Sequence, residues 1–339
     1  MRFAFTEDQL LFRDTVAEFF IKECPPEKVR WAWEDTVGRD EAVWSGLAEM
    51  GVIGLTVPET FGGMGMNEID LLPILTEAGR SAYPGPLVET VAVAAPLLAE
   101  VAPAAVADVW LPRIAEGSAV VTMQLDGQPY VNDMHIAQLL IAQRDDRLFA
   151  IPADRVRTTA QVSVDGARRP FSVEWDEADA ELLASGEAGL QAANRAFDRG
   201  AVATAAQLIG LSEQMIAMTV GYVVDRKQFG VPIGSFQAVK HHLADAELKV
   251  SFARPVVWAA AYALASESTT IAREVSMAKC FASDAAEVVA RKALQTHGAI
   301  GYTTEHDLHF WLKRSWALAS SWGDAMWHRR RVAHILLDD

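Results

Sequence analysis

The chain has 339 residues, 51% of them hydrophobic, and carries 45 acidic against 30 basic side chains for a formal charge of −15. That is enough material for two or three packed layers or about two domains. The acidic balance excludes a protein that holds nucleic acid through its phosphates, which requires a basic face. Cys24 and Cys280 are the only cysteines. They form no metal signature and suit a reducing compartment, so a cytoplasmic setting is expected.

The opening residues lack a basic segment followed by an apolar run, so no signal peptide is expected. Thr6, followed by Glu7, Asp8 and Gln9, starts a helix: a hydroxyl cap with carboxylates at the positive end of the dipole. Leu10, Leu11, Val16, Phe19 and Phe20 continue it at helical spacing. A second helix spans about 40–50. "VPETFGGMGMNEID" is a glycine-rich loop leading into a helix over 68–80. More helix reaches about 116, interrupted at Pro84, Pro86, Pro96 and Pro103. The apolar run over 88–110 carries Glu89, Glu100 and Asp108 and reads as buried helix, so no membrane span is expected.

The pattern changes near Gly117. "SAVVTMQLDG", "HIAQLLIAQ", "RLFAIPA", "AQVSVDG" and "FSVEW" read as short strands separated by Asp, Gly and Pro. From about 186 the chain is helical again, with a glycine break at 298–301. Strands and helices do not alternate, which argues against a doubly wound fold. The predicted architecture is mostly α with a small central β-domain: an N-terminal helical domain over 1–117, a reduced middle β-domain over 118–183, and a C-terminal four-helix domain over 184–339.

"DRKQFGVPIGSFQ", residues 225–237, admits two readings. Arg226 and Lys227 can be the cationic end of a helix stopped by Gly230 and Pro232. The other reading is a grip on an anionic cofactor.

Four separated tracts carry a resemblance. "FTEDQLLFRDTVAEFF", "GLAEMGVIGLTVPETFGGMG" with "EAGR", "DRKQFGVPIGSFQAVKHHLAD", and "AKCFASDAAEVVARKALQTHGAIGYTTEHDL" occur in the order found in acyl-CoA dehydrogenases. The chain resembles that family along nearly its whole length. The resemblance implies FAD, a CoA thioester substrate, oligomers built through the last domain, and an electron-transfer flavoprotein as electron acceptor. It implies that Arg226 reaches a neighbouring subunit's FAD, whose pyrophosphate suits a planar guanidinium fork. Gln228 belongs to the same motif, Phe229 would pack on the cofactor, and Gln237 would hydrogen-bond it. Gln295, Thr296, His297, Gly298 and Ala299 form the companion segment, Ala299 standing where the family usually has a second glycine.

The family abstracts an α-proton with a carboxylate while the β-hydrogen leaves as hydride to the flavin. Here the position of the base, in "ASSWGDAMWHRRR", holds Trp322, or Ser321 in a register shifted by one. An alternative base position, on the helix before the arginine motif, falls at Gly200. Asp198 and Asp324 are the nearest acids; a solvated or capping role is expected for both. In "MQLDGQPYVND", Asp126 stands where the family has a flavin-holding threonine. The groups that place the flavin ring and move the proton are degraded, and those that reach a neighbour's cofactor remain.

This pattern resembles the short, base-less subunit of actinobacterial α2β2 acyl-CoA dehydrogenases acting on steroid or cholesterol side-chain CoA thioesters, beside a full-length catalytic subunit. The alternatives are a homo-oligomeric flavin oxidoreductase using an Asp base, and a non-catalytic acyl-CoA-binding scaffold. His306 and His309 would share a helix face but lack a third ligand, so no metal is expected. The basic run "WHRRRVAH" reads as a solvated helix end.

Overall fold

The computed structural model describes residues 4–337. Helix α1 (Glu7–Glu23) starts with a full capping box between Thr6 and Gln9, and α4 (Glu68–Arg80) with one between Asn67 and Asp70. Between them lie α2 (Pro26–Glu34) and α3 (Glu41–Glu49). Leu87–Ala94 is a π-helix, all eight residues buried, that runs without a break into α5 (Ala95–Val101). Pro96 therefore does not interrupt the helix as the sequence suggested. It falls in the first turn of the α-helical segment, where a missing amide hydrogen is tolerated. Pro103 does mark a break, before α6 (Ala104–Ala115).

The middle region forms two small sheets. One has four strands in the order β1 (Val121–Gln124), β3 (Leu139–Arg144), β4 (Arg147–Pro152), β7 (Glu181–Ala184). Its β1–β3 pair is parallel and the rest antiparallel. The other is antiparallel, in the order β2 (Val131–Asn132), β6 (Pro170–Glu174), β5 (Arg157–Ala160). One strand is displaced from its expected place. "AQVSVDG" contributes only Ala160 to a strand; Val162 is fully exposed, and Ser163 and Asp165 accept backbone hydrogen bonds that turn the chain.

Helix α7 (Gly186–Asp225) is 40 residues long and organises the C-terminal half. Every residue from Gly200 to Ser212 is buried. Small side chains let α4 press against it: a Cβ on Gly210 would lie 1.8 Å from the carbonyl oxygen of Thr76. Helices α8 (Gln237–Ala265) and α9 (Ile271–His297) complete the bundle with α7, and α10 (Leu308–Ser320) and α11 (Ala325–Leu337) pack across it. None of the described helices is long and apolar enough to cross a membrane.

Between α7 and α8 the chain makes a hairpin of β8 (Lys227–Gln228) and β9 (Val231–Pro232). The helix ends at Asp225, so the basic motif lies beyond it. Phe229 and Gly230 turn the hairpin with φ of 53° and 81°, the left-handed pair a two-residue turn requires.

Candidate functional site

A cleft of about 580 Å³ opens between the β-domain and the C-terminal helices, lined among others by Glu89, Asp126, Arg168, Phe197, Ser321 and Trp322. It brings together the residues that the resemblance places at the flavin ring and the catalytic base. Asp126 lies at its rim, where one carboxylate oxygen accepts from the Asp145 amide at 3.0 Å.

The two base positions meet in space. The indole of Trp322 lies over Gly200, and a Cβ on residue 200 would sit 2.3 Å from the ring's Cδ2. Trp322 holds a left-handed φ of 54°, unfavourable for a bulky side chain. Its neighbours fix it there. Buried Lys279 donates from Nζ to the carbonyls of Ala319 (2.9 Å) and Gly323 (3.0 Å), and burial draws its ammonium down to about 7. The Nε2 of buried His328 stands 2.9 Å from the Trp322 carbonyl, and burial holds that imidazole down at about 4. Ser321 donates its hydroxyl to Ala317 at 2.8 Å.

Neither aspartate is placed as a base. Asp198 is buried with both oxygens on the Arg331 guanidinium, and burial raises its carboxyl. It is thus ion-paired rather than solvated or capping. Asp324 does cap α11, accepting from the Trp327 amide at 2.7 Å. The basic run is likewise more than a solvated helix end: His328 and Arg331 turn inward, and Arg329 pairs with Asp284.

A carboxylate that the sequence reading passed over faces the cleft. Glu89, on the π-helix, is 4% exposed; its Oε1 accepts from Asn132 Nδ2 at 3.1 Å and lies 3.5 Å from Arg168. A charge inside an apolar run was its one visible signal. Nearby Asp133 is buried, and burial, then the charge of Glu89, push its carboxyl well above the usual carboxylate range.

The implied cofactor contacts lie elsewhere. Arg226, Gln228, Phe229, Gln237, Gln295 and Ala299 are all exposed, Phe229 to 94%. The side chains of Arg226, Gln228, Gln237 and Gln295 make no hydrogen bond or ion pair among the described residues, so a guanidinium and three amides stand ready for an external anion with polar edges. That donor set fits a dinucleotide. Tyr222 joins the two segments. Its carbonyl accepts from the Arg226 amide at 2.9 Å, and its ring stacks on His297 at 4.4 Å. His297 is buried and supports the surface instead of forming it, and the Thr296 hydroxyl is turned back to the Lys292 carbonyl. Gly298 adopts φ 65°, and no atom lies within 4 Å of its would-be Cβ. Glycine is required there by conformation.

Gly200 and Arg226 are 26 residues apart on and just past one helix, about 39 Å at 1.5 Å per residue. The exposed donor set therefore lies just past the C-terminal end of α7, and the plugged base position in the middle of the helix.

His306 and His309 do not share a helix face. His306 precedes α10 and packs edge-on against His297 at 4.7 Å, while His309 is buried against Trp33. No cluster able to hold a metal ion occurs among the described residues.

Helical flanks, a central sheet pair and a long-helix bundle make up the architecture. Residues 6–118 match the acyl-CoA dehydrogenase N-terminal domain and residues 187–337 its C-terminal domain. Acyl-CoA dehydrogenase IpdE2 of Mycolicibacterium smegmatis is 35% identical over 329 residues, covering 96% of this chain and 98% of that protein. Acyl-CoA dehydrogenase FadE34 of Mycobacterium tuberculosis is 31% identical over 319 residues, covering 86% of this chain but 42% of that protein. In structure, the chain superposes on one from the ChsE4-ChsE5 complex of Mycobacterium tuberculosis with a TM-score of 0.90, over 100% of each chain at 22% identity. The chain belongs to the acyl-CoA dehydrogenase family.

Proposed function

We propose that this chain is the base-less subunit of a heteromeric, cytoplasmic acyl-CoA dehydrogenase, and that it contributes to an FAD held mainly by a catalytic partner in an α2β2 assembly. The observation that carries this reading is the separation along α7: an exposed donor set just past its C-terminal end, and a base position filled by Trp322 in the middle of the helix. In the assembly, Arg226 neutralises the diphosphate of the partner's cofactor with a planar fork of donors. Gln228, Gln237 and Gln295 add amide contacts, and Phe229 supplies apolar surface. The flavin, when bound, supplies the acceptor for the β-hydrogen of the thioester. The partner supplies the glutamate. An acyl-CoA thioester with a steroid or cholesterol-derived side chain is the substrate, and an electron-transfer flavoprotein the acceptor.

The relatives support this reading. The match to FadE34 occupies less than half of that protein's length, and the ChsE4-ChsE5 neighbour is a complex of two different named proteins. The homo-oligomeric reading is weakened by the engagement of Asp198 with Arg331 and of Asp324 with the start of α11. The test is Arg226→Ala and Arg226→Lys in the co-expressed assembly. Flavin retained per heterodimer should fall sharply in the first and partly in the second. Unaltered content in both favours the scaffold reading.

A further inference from the structure

A second pocket, of about 160 Å³, opens where α1, α4, α7 and α8 meet, and it shares no lining residue with the cleft described above. It is built around one carboxylate. Glu213 Oε1 accepts from Arg254 Nε at 3.0 Å and Nη2 at 2.6 Å, and Glu213 Oε2 accepts from Arg80 Nη2. Arg80 also donates from Nε to Glu77 Oε2 at 3.1 Å. Arg13 lines the same pocket and pairs with Asp14, which does not. Three guanidiniums thus line the pocket against two carboxylates. No hydrogen bond to Glu77 Oε1, or from Nη1 of Arg80 or Arg254, occurs among the described residues. Burial raises the Glu77 carboxyl, with Arg80 and Arg13 opposing the effect and Glu213 adding to it. The rest of the wall is apolar: Leu72, Ile209 and Val257 are buried, and Phe5 meets Trp258 edge-on at 5.1 Å.

We infer that this pocket is a binding site for a small monocarboxylic acid, its carboxylate on Arg80 and Arg254 beside Glu77 and its body on the apolar wall. The charge count selects the sign of the ligand. A cation is repelled by the surplus guanidiniums. A carboxylate accepts from their free N–H groups, the strong kind of hydrogen bond. Glu77, once protonated, donates its O–H to the same carboxylate and leaves Arg80 to it. A phosphate matches the charge but leaves the apolar wall uncovered. The volume is below that of sites for drug-sized molecules and limits the body to about one small ring. Such an acid bridges α4 to α7 and α8 and stabilises their contact. It is a free acid, distinct from the CoA thioester of the proposed reaction, and the inference does not depend on that reaction.

Proton uptake gives the site a signature. The charged groups that line it are Arg13 from α1, Glu77 and Arg80 from α4, Glu213 from α7 and Arg254 from α8. Guanidiniums do not titrate, and Glu213 is engaged at both oxygens, which leaves Glu77 to take the proton. Affinity for the carboxylate therefore rises as pH falls, down to the ordinary carboxyl range of about 4, where the ligand itself is protonated. The test is calorimetric titration of the full chain with benzoate, benzamide and inorganic phosphate at pH 8 and pH 5.5. Benzoate should bind about tenfold or more tightly than benzamide, and about fivefold or more tightly at the lower pH. In Glu77→Gln, whose amide donates at every pH, that pH dependence should shrink to about twofold or less while binding is kept. In Arg254→Met, benzoate should weaken by about fivefold or more. Circular dichroism checks that each variant is folded; if one fails, the other still decides. Absence of benzoate binding by the wild type overturns the inference. So does equal affinity for benzamide, phosphate bound as tightly as benzoate, a pH dependence intact in Glu77→Gln, or an affinity unchanged in Arg254→Met.

Discussion

The indole of Trp322 occupies the space that any side chain on Gly200 would need, with Cδ2 2.3 Å from the would-be Cβ. The two positions at which the family resemblance places a catalytic carboxylate are thus one packed contact, large against none. Restoring a side chain at one position requires removing it at the other.

That contact predicts strong coupling. Gly200→Ala overpacks a buried site whose ring cannot retreat, because Lys279 and His328 fix the loop that carries it. It should destabilise by about 1–3 kcal/mol. In a Trp322→Ala background the same change should cost much less, and a double-mutant cycle of thermal midpoints should return a coupling of about 0.5–3 kcal/mol. Additive midpoints would mean the two residues do not share the space.

The Asp198–Arg331 pair separates structure from catalysis. Asp198→Asn leaves a largely buried guanidinium against a neutral amide and should destabilise by about 3–5 kcal/mol. Asp324→Asn keeps a good helix cap and should be nearly silent. Turnover of the assembly, measured below the lowered midpoint, should stay within about twofold for both, whereas loss of a general base removes about 10²–10⁴-fold.

His328 predicts a slope of stability with pH. Burial holds its folded-state pKa down at about 4, with Lys279 and Arg331 adding to the effect and the Trp322 carbonyl and Asp324 opposing it. A base with a depressed folded pKa takes up protons more readily when unfolded. Its contribution is complete above the unfolded value of about 6.5 and is lost as pH falls toward 4, amounting to about 3 kcal/mol. His328→Gln keeps a donor for the Trp322 carbonyl but does not titrate. Thermal midpoints between pH 7 and pH 4 should therefore fall more steeply for the wild type than for the variant.

What the sequence made legible was set by local chemistry. Thr6 announces a helix start because a capping side chain answers to an amide three residues away. The four tracts are long enough to carry a family pattern. "AQVSVDG" misled because alternation of apolar and polar residues also arises in a loop with an exposed valine. Pro96 misled because its effect depends on where in the helix it falls. In the site, the absence of carboxylates at Gly200 and Trp322 could be read directly, but their contact could not, since 122 positions of chain separate them. Glu89, Arg168 and Lys279 gain their meaning only from what folds against them. The inward turn of Arg331 was hidden by two neighbouring arginines of the same charge.

The most direct test of the central claim is the flavin content and dehydrogenase activity of this chain purified alone and co-purified with a complete acyl-CoA dehydrogenase subunit from the same source. The chain alone should be flavin-poor and inactive, and the co-purified assembly should hold one FAD per heterodimer and turn over. A yellow, active homo-oligomer of this chain alone would contradict the account.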